Sequence, residues 1–143
     1  MKIDRIDKNI TQLLSKYASR NPRHIAKELN IAIFEEDLGE IYGYYNKTKR
    51  VKMIHLNSNL DEKMKLVTCA HELGHALLHP GANTPYLSKE TIVSEWKIEK
   101  EANYFAARLI IDGSHHEYNF NSTYEILKFY GLPTEFERFI END

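Results

Sequence analysis

The sequence predicts an α+β fold in which a small sheet is flanked by helices. Three observations favour this class: apolar residues recur at helical spacing early in the chain, β-branched and aromatic residues then dominate three short runs, and helical spacing returns afterwards. The three runs, predicted as antiparallel strands, are residues 31–34, 41–45 and 51–56. With 143 residues, the chain is expected to form a single domain, residues 1–143.

The first part of the chain is predicted to form two helices. Apolar residues three to four positions apart place the first over about residues 3 to 19, and Pro22 at a first-turn position begins the second. A helix-turn-helix DNA-binding unit is the alternative interpretation of this pair. The second helix offers only Arg23, His24 and Lys27 as contacts to DNA, and the chain carries a net charge of −2. We therefore expect no direct binding to nucleic acid.

The composition and the first residues of the chain indicate the cellular compartment. The chain has one cysteine, which excludes an internal disulfide framework, and its first residues lack the apolar run of a signal peptide. No segment approaches the 18 or so consecutive apolar residues that a transmembrane helix needs. We expect a cytoplasmic protein with no membrane partner.

The most informative motif is the HExxH sequence of residues 71–75, which lies in a predicted helix. Two histidines at i and i+4 project from one helix face, so His71 and His75 can bind a single Zn²⁺. Glu72 lies beside them and is a candidate general base that accepts a proton from water activated by the metal. The apolar stripe of this helix, which is expected to face the core, consists of Leu66, Ala70, Leu73 and Leu77.

Capping residues and helix-breaking Pro and Gly residues predict the boundaries of the remaining elements. Asn59 or Asp61 is expected to cap the HExxH helix, which runs to about residue 79 before Pro80-Gly81, and residues 80 to 94 are predicted to form a loop. Three further helices are predicted over about residues 94–111, 122–130 and 134–140.

Zinc needs a third protein ligand besides the two histidines. An HExxHxxGxxH extension fails, because Leu78 and Gly81 occupy its glycine and histidine positions. His79 repeats the i+4 step, but three residues along one straight helix cannot converge on a tetrahedral ion, so we expect it to line the cleft or cap the helix. Glu99 and Glu101 lie on the two flanks of the buried face of the following helix, and periodicity alone does not choose between them.

Three segments together resemble the ImmA/IrrE family of zinc metallopeptidases. They are Ile54-His-Leu-Asn57, Ala70-His-Glu-Leu-Gly-His-Ala-Leu-Leu-His79 and Glu101-Ala-Asn-Tyr-Phe-Ala-Ala-Arg-Leu109. The resemblance implies a minimal zincin-like fold, with a small antiparallel sheet packed on the HExxH helix. It also implies that His71, His75 and Glu101 bind zinc and that Glu72 is the catalytic base.

The same resemblance implies a substrate and a mode of action. Members of the family cleave a helix-turn-helix repressor encoded nearby, and the length of this chain favours the shorter antirepressor type found in phages and mobile elements. Strand 51–56, expected at the sheet edge, is a candidate for pairing with an extended substrate. The alternative function is a non-proteolytic zinc-binding regulator that binds a transcription factor; intact Glu72 favours the enzyme, because a structural zinc site needs no base.

A few other residues carry weaker expectations. Cys69 points toward the apolar stripe and is expected to be buried rather than to bind metal, and Trp96 is expected to lie in the core or the cleft wall. A tetrahedral intermediate needs a hydrogen-bond donor at its oxyanion, and Tyr104, His115 and His116 are candidates. The sequence does not choose among them.

Overall fold

The computed structural model describes residues 1–140 and confirms the α+β fold. Five α-helices accompany a four-stranded sheet, and buried side chains from helices and strands form a continuous hydrophobic cluster. The helices are α1 (Ile3–Tyr17), α2 (Pro22–Glu28), α3 (Glu62–Leu78), α4 (Lys97–Ile110) and α5 (Thr123–Tyr130). The strands are β1 (Ile31–Glu36), β2 (Ile41–Thr48), β3 (Val51–Asn57) and β4 (Leu87–Ser88), and short 3₁₀ helices cover Thr91–Val93, Ser114–Glu117 and Thr134–Phe139. Helices α2 and α3 pack against strands of the sheet.

The sheet is mixed, so the prediction of an all-antiparallel sheet was wrong. Its order is β1-β3-β2-β4, with β3 antiparallel to β2 but parallel to β1. A tight turn containing Lys49 at φ 58° joins β2 to β3, and β3 then lies between β2 and β1. Strand patterns in a sequence report which residues alternate between faces and say nothing about the direction of the neighbouring strand.

The position of β3 also corrects the expected substrate-binding edge. Residues 51–56 lie inside the sheet, because Ile54 is aligned with Ile33 of β1 on one side and with Tyr45 of β2 on the other. The backbone N–H and C=O groups of β3 therefore bond to the two neighbouring strands. The edges of this sheet are β1 and β4, and β4 falls within the segment predicted to be a loop. Two residues are too few to show a strand period.

The helices agree with the sequence apart from their ends. Asp61 caps α3 by accepting a hydrogen bond from the Met64 amide at 2.7 Å, which decides between the two expected caps. Helix α4 begins at Lys97 rather than near residue 94, because Trp96 is extended with ψ 130°. The last predicted helix is a 3₁₀ helix. None of the helices in residues 1–140 has both the length and the apolar character required to span a membrane.

Helix α3 is buried on almost all sides rather than along one stripe. Residues 67–76 are all buried, whereas Leu66 and Leu77 of the expected stripe are only half-buried. Two glycines allow this close packing. A Cβ at Gly43 of β2 would lie 2.6 Å from a methyl carbon of Thr68, and a Cβ at Gly74 would lie 3.1 to 3.2 Å from the Phe105 side chain of α4. The sheet and α4 thus enclose the HExxH motif.

Candidate metal centre

The two motif histidines lie side by side in the interior. The rings of His71 and His75 are fully buried, with centroids 4.7 Å apart and planes at 85°. One donor atom from each histidine and one carboxylate oxygen of Glu72 lie within 4.8 Å of one another. The motif therefore forms a compact group of metal-binding atoms on one helix.

Helix α4 brings a second carboxylate to this group, and it belongs to Glu99. The Glu99 oxygens lie 3.1 Å from His71 Nε2 and 2.9 Å from His75 Nε2. Glu101, which the resemblance implied as a ligand, lies instead against His79, with 2.9 Å between Glu101 Oε1 and His79 Nε2. Its carboxylate is thus on the other flank of α4, away from the paired Nε2 atoms.

The buried polar atoms at this point fit a metal cation. His71 Nε2, His75 Nε2 and both carboxylate oxygens of Glu72 and Glu99 are buried and have no hydrogen-bond partner within residues 1–140. The short His–Glu99 approaches fall within hydrogen-bond distance but do not satisfy hydrogen-bond geometry. Leaving so many polar atoms unsatisfied in a core is costly. A divalent cation among them would remove this cost, and imidazole with carboxylate is a donor set that zinc accepts.

The contact between His71 Nδ1 and Asn103 determines which ring nitrogen of His71 is unprotonated. His71 Nδ1 lies 2.7 Å from Asn103 Oδ1, and the Asn103 amide nitrogen donates to the Ile92 carbonyl at 3.2 Å. Because this carbonyl fixes the amide, Asn103 presents its oxygen to the ring, and Nδ1 must carry the proton. The lone pair of His71 is then on Nε2, which faces Glu99.

The second ring nitrogen of His75 also has a side-chain contact, at the end of α3. Its Nδ1 lies 3.1 Å from Nδ1 of His79, whose Nε2 contacts the Glu101 carboxylate. If Nε2 of His79 donates to that carboxylate, its Nδ1 accepts a proton from Nδ1 of His75. The lone pair of His75 is then also on Nε2.

Burial and charge set the protonation of the metal-free centre. Burial raises the pKa of Glu72 to about 7 and lowers the pKa of His75 to about 4. Burial also disfavours ionised Glu99, but its contacts with the two histidines outweigh this and lower its pKa to about 2. For His71, burial opposes the imidazolium, yet the Glu99 and Glu72 carboxylates raise its pKa overall. A carboxyl group with a pKa near neutrality suits both uptake and return of a proton.

The other expected residues lie outside this cluster. The Tyr104 hydroxyl donates to Asp7 of α1 at 2.8 Å, and His115 Nδ1 contacts the Tyr130 hydroxyl at 2.7 Å. Cys69 is fully buried as expected, and burial raises the pKa of its thiol to about 12. Trp96 is 53% exposed rather than part of the core. Asn103, the residue that orients His71, was assigned no role from the sequence.

The HExxH helix packed on a mixed sheet and the buried His-Glu-His cluster are features of a zincin-like metallopeptidase. The chain belongs to the IrrE N-terminal-like domain family, peptidase M78, whose model matches residues 26–139. It is 44% identical over 103 residues to an uncharacterized immunity region protein 2 of Bacillus phage phi105, covering 71% of this chain and 65% of that protein. It is 31% identical over 108 residues to the metallopeptidase ImmA of Bacillus subtilis strain 168, covering 74% of this chain and 63% of that protein. The matched part therefore spans somewhat less than two thirds of each relative.

Proposed function

We propose that this protein is a zinc-dependent endopeptidase in which His71, His75 and Glu99 bind the metal. Two imidazole Nε2 atoms and the Glu99 carboxylate converge here, buried and without hydrogen-bond partners in the described part of the chain, and this convergence carries the proposal. Three protein ligands leave a position open for water or substrate, as catalytic zinc sites require. Glu99 thus replaces Glu101 in the ligand set that the family resemblance implied.

Glu72 acts as the general base and acid in this proposal. Bound zinc supplies Lewis-acid chemistry, which activates water as a nucleophile and polarises a carbonyl group. The Glu72 carboxylate accepts the proton of the attacking water and then delivers it to the departing amine. Burial supports this role, because it raises the pKa of Glu72 toward neutrality in the metal-free protein.

We propose that the substrate is a helix-turn-helix repressor and that the reaction takes place in the cytoplasm, where such a repressor acts. The names of the two relatives, an immunity region protein and the metallopeptidase ImmA, support a role in phage immunity. The burial of the centre supports selectivity, since His71, Glu72, His75 and Glu99 are all fully buried. A scissile bond reaches them only if covering residues move, and we propose that docking of the repressor drives this movement.

Metal analysis tests the ligand set. We expect about one zinc per chain, and we expect His71→Ala, His75→Ala and Glu99→Gln to lose most of it. Glu62→Gln, at an exposed carboxylate on the same helix as the histidines, is the control and should retain zinc. Full zinc occupancy in Glu99→Gln would remove Glu99 from the ligand set.

Cleavage assays test the chemistry and the substrate. Incubation with the repressor encoded beside the gene, followed by mass spectrometry, should show one or a few cuts, whereas casein should remain intact. Glu72→Gln should bind zinc but lose at least ~100-fold in rate, the scale of a positioned general base. Biological activity of Glu72→Gln without cleavage would favour the non-proteolytic regulator. Comparable digestion of casein would contradict the proposed selectivity.

A further inference from the structure

His79 and Glu101 form a largely buried pair at the end of α3. Their contact is 2.9 Å long, and both side chains are less than a tenth exposed. The ring of His79 also contacts His75 at 3.1 Å, and the second oxygen of Glu101 lies 3.4 Å from the Lys2 backbone nitrogen at the start of α1. A continuous set of contacts thus joins His75, His79, Glu101 and the beginning of α1.

These contacts differ from ordinary helix capping. A capping side chain bonds to the terminal carbonyl groups of its helix, but both ring nitrogens of His79 contact side chains instead. The backbone of His79 already closes the helix, since its N–H donates to the His75 carbonyl at 2.8 Å. The His79 ring is therefore not needed for capping and can bond to His75, whose carbonyl already accepts from the His79 backbone N–H.

We propose that His79 and Glu101 are positioning residues that hold His75 with its Nε2 directed at the metal. The Glu101 carboxylate accepts from Nε2 of His79, so Nδ1 of His79 accepts from Nδ1 of His75. This arrangement fixes both the tautomer and the rotation of the His75 ring. Asn103 performs the equivalent task for His71, so each histidine has its own support. The inference rests on the zinc site proposed above.

Substitutions that remove or preserve hydrogen bonding test this role through zinc affinity. His79→Phe retains a ring but loses both nitrogens, and we expect it to weaken zinc binding by about 10- to 100-fold, the usual effect of losing a residue that supports a ligand. Glu101→Ala should also weaken binding. Glu101→Gln keeps one acceptor oxygen for His79 but gives up the 3.4 Å contact with the Lys2 amide, so it should weaken binding less than Glu101→Ala does. His24→Phe, at an exposed histidine on α2, is the matched control and should have no effect.

Zinc affinity is measured by competition with a chromophoric chelator. NMR of the zinc-loaded protein supplies a second readout: a slowly exchanging Nδ1–H signal from His75, present in the wild type and in Glu101→Gln, should be lost in His79→Phe. If His79→Phe does not fold, the contrast between Glu101→Ala and Glu101→Gln decides the question.

Three results would overturn the inference. Wild-type zinc affinity and an unchanged His75 signal in His79→Phe would show that the pair does not position the ligand. Loss of zinc from Glu101→Gln as severe as from Glu99→Gln would make Glu101 a ligand. A wild-type protein that binds no zinc would overturn both this inference and the proposed function. Failure of this inference alone differs, because the wild type then still binds zinc.

Discussion

Replacing Gly74 by alanine tests whether close packing of α3 on α4 determines the geometry of the metal centre. Alanine in a helix interior is favoured over glycine by about 1 kcal/mol, so an unobstructed site would gain stability. Here the new Cβ meets three atoms of Phe105 at 3.1 to 3.2 Å, which requires the ring to move by a few tenths of an ångström. Phe105 is fully buried, and overpacking of this kind costs about 1–3 kcal/mol.

The balance predicts that Gly74→Ala loses about 1 kcal/mol, with a fall in Tm of about 4 °C. Any displacement of α4 also moves Glu99 relative to the histidines on either side of Gly74, so we expect zinc affinity to fall by about 10-fold. Urea unfolding of the metal-free protein measures the first effect and chelator competition the second. Gly81→Ala is the control, because a Cβ there would meet no atom of the described residues within 4 Å. A gain of about 1 kcal/mol with unchanged zinc affinity would refute the reasoning.

Asp61→Ala should destabilise the fold by about 0.5–2 kcal/mol in urea unfolding, whereas Asp61→Asn, which still caps α3, should be close to neutral. Cys69 should not react with a thiol reagent at pH 8 in the folded protein, because burial raises its pKa to about 12, and one thiol per chain should react in guanidinium; rapid reaction before unfolding would contradict this burial. Extraction of zinc by EDTA should be slow for the protein alone and faster in mild urea or with the repressor, whereas release within the mixing time would contradict a closed centre.

The sequence predicted local features of the fold better than the pairing of its strands. Helical spacing located α1 because its apolar residues recur along one face, and the HExxH motif and the side chain of Asp61 marked α3. The parallel alignment of β1 with β3 depends on where the chain turns in space. Strand β4 is defined by its pairing with β2 rather than by its two residues. These features arise from long-range contacts, which leave no period in the sequence.

The two glutamates of α4 can be distinguished by their spacing from Asn103. Glu99 and Asn103 are four residues apart and therefore lie on the same flank of the helix, and both contact His71, one at each ring nitrogen. Glu101 lies two residues from each of them and projects from the opposite flank, where it meets His79. A metal-binding histidine needs a partner for its second ring nitrogen, so the helix flank that supplies both this partner and a carboxylate is the one we expect to face the proposed metal. The four-residue spacing of Glu99 and Asn103 therefore favours Glu99 over Glu101, and this preference appears only when the two residues are considered together.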